Sequence, residues 1–187
     1  MQPFKFQESK LNGAYLITAQ YADDNRGGLI KDYNIETYRS HGINHCLKEV
    51  FYTISKKGVI RALHFQEVKQ QAKLVRCIKG EIYDVIVDLR KESRTYRQWQ
   101  GVLLNEENKQ MVYIPRYFAH GYLVLKDSIV SYQCDEVFYS EYDTGIRWND
   151  PEIAVEWPVD RIGGMEHLIL SDKDLKLPYL KEYEERG

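Results

Sequence analysis

Apolar and polar residues alternate with a period of two through most of the middle of the chain, as in strands with one face on a core. The clearest run, Gly80-Glu81-Ile82-Tyr83-Asp84-Val85-Ile86-Val87-Asp88-Leu89-Arg90, puts Tyr83, Val85, Val87 and Leu89 on one face. Similar runs occupy residues 59–66, 73–78, 98–104, 110–115 and 121–125, and further strands are expected at 129–133 and 153–157. Turn-forming stretches such as Leu104-Asn105-Glu106-Glu107-Asn108-Lys109 separate them, a spacing that predicts a β-sandwich or barrel.

Helical signals are confined to the ends, at residues 35–39 and in the tail over 171–183. Ser171-Asp172-Lys173-Asp174 has the form of a helix start resembling a capping box, which by itself accounts for Asp174. With no internal repeat, Gly/Ser linker or long charge run, one domain over 1–187 is expected. Its parts are an N-terminal arm (1–50), a barrel (51–160) and a C-terminal tail (161–187).

A length of 187 residues suits one sizeable core, and fifteen tyrosines set the chain apart from disordered sequences. The net charge of −2 comes without a basic block. That argues against a nucleic-acid partner and leaves room for a small phosphorylated ligand. Met1-Gln2-Pro3-Phe4-Lys5 opens no apolar leader and no apolar run reaches membrane length, so a cytoplasmic protein without membrane attachment is expected. Cys46, Cys77 and Cys134 form an odd set without CxxC spacing; Cys77 lies in an alternating run as a core residue, and no chemistry is assigned to the three.

Of the five histidines (41, 45, 64, 120 and 167), His64 and His120 each end a strand-like run. A strand histidine is commonly a hydrogen-bonded structural residue. Inside a barrel and near Arg and Lys, it becomes a candidate base, because imidazole titrates near neutral pH. A metal would call for a His-x-His pair, but Gln66 stands two residues after His64, so no metal is expected. No Gly-x-Ser-x-Gly nucleophile turn occurs, and Arg26-Gly27-Gly28 is too short for a phosphate loop.

Several blocks together are more specific. They are Arg61-Ala62-Leu63-His64-Phe65-Gln66, Lys73-Leu74-Val75-Arg76-Cys77, the run 80–90, Ser93-Arg94-Thr95-Tyr96, and Ile114-Pro115 with Phe118-Ala119-His120-Gly121. Gly145-Ile146-Arg147-Trp148-Asn149-Asp150, Glu156-Trp157-Pro158 and Leu170-Ser171-Asp172-Lys173-Asp174 follow in order. Over nearly the whole chain they resemble the dTDP-4-dehydrorhamnose 3,5-epimerase family. The resemblance implies an all-β, cupin-like jelly-roll barrel with short helices near its ends, forming a homodimer and using no cofactor. It implies a nucleotide-diphosphate sugar as substrate, specifically a 4-keto-6-deoxyhexose inverted at C3, C5 or both.

By the same resemblance His64 matches the base, Asp174 the carboxylate that orients it, and Lys73 the cation beside the ketone. Tyr132 matches the proton donor on the opposite face, with Tyr139 as the alternative. Arg26, Arg61, His120, Asp143 and Lys173 match positions that bind the substrate, and the N-terminal arm would reach the dimer partner, so Arg26 would serve the neighbouring site.

The chain also departs from the family pattern. Lys31-Asp32 stands where a Glu is usual, leaving open which of the two replaces it, and Glu49-Val50-Phe51 takes the place of a Gln-x-Asn nucleotide contact. Ala62 and Tyr117 replace glycines, and Asp143 replaces a Glu. These changes leave open a 3-only or 5-only epimerase on a CDP- or GDP-linked sugar, a ketoisomerase, or a non-catalytic sugar-binding cupin.

Overall fold

Two long strands organise the computed structural model, which describes residues 1–185. They are β7 (Lys73–Asp88) and β10 (Phe118–Cys134), paired antiparallel along almost their full length. The separate runs expected at 73–78 and 80–90 are one strand, as are those at 121–125 and 129–133. The strand continues through Gly80 at φ +82°, where a Cβ would lie 2.2 Å from the Asp127 carbonyl oxygen. Only glycine fits there. β10 shifts register opposite it, between Val124 and Val130.

These irregularities let each long strand serve two sheets. The first half of β7 pairs with β9 (Gln110–Ile114) and its second half with β8 (Trp99–Asn105). β10 pairs first with β6 (Ile60–Gln66) and then with β5 (Glu49–Ser55). β9 passes the pairing on to β2 (Tyr15–Thr18) and β1 (Lys5–Glu8), while β6 passes it to β11 (Asp143–Gly145). A continuous sheet is thus folded over on itself as a cupin-like jelly roll.

Val75, Val112, Ile114 and Val130 of one half meet Ile82, Ile86, Leu104, Tyr122 and Val124 of the other in the main core. Cys77 is buried among them, and burial raises its thiol pKa to about 11. Tyr83, Val85, Val87 and Leu89 do share a face, the outer one, under a cover made by Ile146, Ile153, Trp157, Ile162 and Leu180. Burying each large apolar side chain of that cover stabilises the fold by roughly 1.5–3 kcal/mol.

Two expectations fail in that cover. Residues 153–157 form no strand; they run as a turn and extended chain, with Trp157 Nε1 donating to the Trp148 carbonyl at 2.8 Å. Their apolar residues face the sheet from outside instead of joining it. The tail helix breaks into α2 (Asp172–Lys176) and α3 (Leu180–Glu184), because Pro178 forces Leu177 to an extended ψ of 143°.

Among the N-terminal elements, α1 (Ile35–Ser40) is capped by Asn34, and β3 (Gln20–Asp24) with β4 (Gly27–Lys31) forms a separate hairpin. Every residue of β4 is exposed, Leu29 and Ile30 included. Asp32, just beyond it, pairs with the buried Arg76 at 2.5 Å. Burial pushes the Asp32 carboxyl upward and Arg76 pulls it back. No helix among the described residues is long and apolar enough to cross a membrane.

Candidate active site

β5 and β6 are consecutive strands in opposite halves of the roll, and between them opens a cavity of about 290 Å3. β6 contributes Arg61, His64 and Gln66; β5 contributes Phe51 and Thr53. Lys73 enters from the start of β7, His120 and Tyr132 from β10, Asp143 from β11, and Ser171, Lys173 and Asp174 from the α2 region.

His64 directs Nε2 to Asp174 Oδ1 at 2.6 Å. The second oxygen of Asp174 accepts from Ser171 Oγ at 2.6 Å, and Ser171 Oγ in turn accepts from the Asp174 backbone N–H as the cap of α2. The cap is therefore the Ser171 hydroxyl, and the Asp174 carboxylate takes that hydroxyl on one oxygen and His64 on the other. Burial alone would raise the Asp174 pKa, but hydrogen bonds from His64 and Ser171 outweigh it and hold the carboxyl below its usual range. An ionised Asp174 accepts the Nε2 proton of His64, which leaves Nδ1 as the basic lone pair.

Lys73 and Tyr132 are shaped by desolvation. Burial lowers the Lys73 pKa, with Asp143 and Asp84 opposing the fall. Burial lifts the Tyr132 phenol well above its ordinary value, and the neighbouring Tyr122 and Asp84 add to the rise. Tyr132 is paired in register with Phe51, and their rings stack at 4.7 Å with an 8° tilt. His120 approaches the same ring edge-on at 5.6 Å. The phenol is clamped from two sides.

The substrate-contact positions divide. Arg61, His120, Asp143, Lys173 and Phe51 reach the cavity, where Lys173 and Asp143 form an ion pair. Glu49 is outside the lining, its carboxylate accepting from the backbone N–H of Phe138, which does line it, at 2.9 Å. Arg26 lies at the tip of the exposed hairpin, paired with Asp24 at 2.6 Å and outside this cavity. Asp32 is tied to Arg76 and Lys31 ends the same exposed hairpin, so neither lines the cavity. Tyr139, the alternative donor, is likewise outside the lining, its backbone N–H given to Gln66 Oε1 at 2.5 Å.

Sequence reasoning passed over Thr53, Gln71, Ser171 and Phe138 as cavity residues. Alternation from Phe51 would have found Thr53; Phe138 lies in a loop with no periodic signal. Gln66 uses its amide to donate to the Lys69 and Val137 carbonyls and to accept from Tyr139. It is a loop anchor where a metal site would need an imidazole. Among the described residues no three His, Cys, Asp or Glu side chains converge as a metal-binding group would.

A jelly-roll barrel with a carboxylate-held imidazole, an ammonium and a buried phenol around one cavity defines a class of proton-transfer enzymes acting on carbon acids. The chain belongs to the dTDP-4-dehydrorhamnose 3,5-epimerase family, whose model matches residues 8–182. It is 43% identical over 183 residues to the dTDP-4-dehydrorhamnose 3,5-epimerase of Methanothermobacter thermautotrophicus, covering 97% of each chain. The crystal structure of the Bacillus anthracis enzyme with TDP and PPi bound superposes with a TM-score of 0.88 at 39% identity, covering 95% of this chain and 100% of that one. The Legionella pneumophila epimerase in complex with dTDP-4-keto-L-rhamnose gives a TM-score of 0.90 at 32% identity, with 96% and 94% coverage.

Proposed function

We propose that this protein inverts C3 and C5 of a dTDP-linked 4-keto-6-deoxyhexose. The ketone at C4 acidifies the hydrogens on both neighbouring carbons. His64 Nδ1 removes one of them, and Asp174 stabilises the imidazolium that forms. Negative charge moves to O4, where the Lys73 ammonium meets it. Tyr132 delivers a proton to the carbon from the opposite face, restoring the ketone with the centre inverted. A phenol of raised pKa is a weak acid, suited to a strongly basic enolate carbon.

One observation carries this reading: His64 is held through Nε2 by Asp174 at 2.6 Å on a cavity that also contains Lys73 and Tyr132. Arg61 and Lys173 supply cationic contacts for the diphosphate, with His120, Asp143 and Phe51 around the sugar and nucleotide. The chain works as a single domain in a homodimer, in which the exposed hairpin carries Arg26 to the partner's site. Val50, Tyr52 and Ile54 on β5, together with Leu29 and Ile30, are exposed apolar residues that suit such an interface. Sedimentation showing a monomer at working concentrations would count against the dimer.

The test of the activity is a panel of dTDP-, CDP- and GDP-linked 4-keto-6-deoxysugars in deuterated water, followed by NMR. Deuterium at both C3 and C5 of the dTDP sugar is expected. Exchange at one carbon only would contradict double inversion, and exchange at neither would contradict the epimerase.

A further inference from the structure

A second imidazole–carboxylate pair lies beside the first. His120 on β10 and His64 on β6 are directly opposed across the strand pairing. His120 directs Nε2 to Asp84 Oδ2 at 2.7 Å, much as His64 directs Nε2 to Asp174. The carboxylates come from different elements, β7 and α2, so the two pairs are built independently. Asp84 is 1% exposed and His120 3% exposed, yet His120 still lines the cavity.

Two details set this pair apart from an ordinary core contact. Asp84 Oδ1 is buried with no hydrogen-bond partner among the described residues. A fold selecting for stability alone would fill such a place with an apolar side chain or satisfy both oxygens. On the other ring nitrogen, His120 Nδ1 has no protein partner among the described residues either, and it is not among the buried unsatisfied atoms. A carboxylate on Nε2 fixes the proton there and leaves a lone pair on Nδ1.

We propose that Asp84 is a positioning residue that fixes the Nε2–H tautomer of His120, so that Nδ1 accepts a hydrogen bond from a hydroxyl of the bound sugar. The proposal rests on the cavity being the sugar site described above. It adds that the cavity has two in-register imidazoles with distinct tasks: His64 takes protons from carbon, and His120 holds a hydroxyl. Both tasks need a lone pair on Nδ1, and each pair supplies it by the same device.

Three measurements test this. In the ligand-free enzyme, nitrogen-15 NMR of the histidine rings should find the His120 proton on Nε2; a proton on Nδ1 alone would overturn the proposal, whatever the substrate proves to be. Asp84→Asn should raise KM for dTDP-4-keto-6-deoxyglucose about tenfold, the loss of one substrate hydrogen bond, and any fall in kcat is read separately because Asp84 also acts on Lys73 and Tyr132. An unchanged KM in a folded variant would overturn the assignment.

Finally, Asp84→Asn placed on His120→Gln should add little to the KM of the single His120→Gln variant. Losses that multiply would mean that Asp84 does not act through His120. A wild-type enzyme inert toward every 4-ketosugar would sink the epimerase reading instead, and the tautomer measurement would keep the two failures apart.

Discussion

Arg61 and His64 are three residues apart on one strand and nevertheless line the same cavity. Strict alternation would put them on opposite faces. The pairing of β6 with β10 resolves the conflict: Tyr122 opposes Arg61 and His120 opposes His64, so β6 carries one residue more than its partner across this stretch. That bulge turns both side chains inward. It presses on Gly121, where a Cβ would lie 2.5 Å from both the Ala62 Cβ and the Arg61 carbonyl oxygen.

Gly121→Ala should therefore disturb the site as well as the fold. A loss of roughly 1–3 kcal/mol is expected in urea denaturation, together with reduced kcat. Wild-type stability and kcat in this variant would show that the bulge does not depend on the glycine.

Lys73 should set the alkaline limit of activity. Its ammonium is needed as charge grows on O4, and burial lowers its pKa below the ordinary 10.5 of lysine. As pH rises through that lowered value the cation is lost, so kcat should fall before an ordinary lysine would titrate. Lys73→Met should reduce kcat roughly 100- to 1,000-fold and abolish this limb of the profile.

Tyr132→Phe should separate exchange from inversion. His64 can still remove a proton and return a deuteron on its own face, so solvent exchange should persist. Net inversion should fall at least roughly 100-fold, read by NMR of the product stereochemistry. Inversion at the wild-type rate would transfer the donor role to another group.

Asp88 should govern acid stability, away from the chemistry. It is fully buried, and burial alone would raise its pKa; hydrogen bonds from Arg90, Ser93 and Thr95 outweigh that and lower it from 3.8 to about 2. A depressed carboxylate stabilises the fold above its unfolded value and loses that contribution as pH falls through the folded one. About 2 kcal/mol should therefore be present above pH ~4 and lost toward pH ~2. Urea denaturation of Asp88→Asn should show this loss already at neutral pH and a flatter decline in acid.

Much of the barrel was legible because its strands alternate apolar and polar positions and the turns between them are marked. The fusion of residues 73–78 with 80–90 was hidden by Gly80, which reads as a break and acts as a bend within one strand. Residues 153–157 alternate like a strand, but they use their apolar side to cover a sheet already complete. Pro178 did announce the break in the tail helix, two residues before α3.

At the site, His64, Lys73, Tyr132 and Asp174 were named by resemblance, and the fold brings all four to one cavity. Alternation could not have paired His64 with Asp174, 110 residues away, nor shown Glu49 holding the Phe138 loop. Arg26 is the opposite case, a residue whose proposed task depends on a second chain.

Replacing His64 with Asn tests the central claim most directly. With dTDP-4-keto-6-deoxyglucose in deuterated water, NMR should find no deuterium at C3 or C5, while binding of the nucleotide sugar by calorimetry stays close to wild type. Exchange continuing in that variant at a comparable rate would contradict the account, since another group would then be taking the proton.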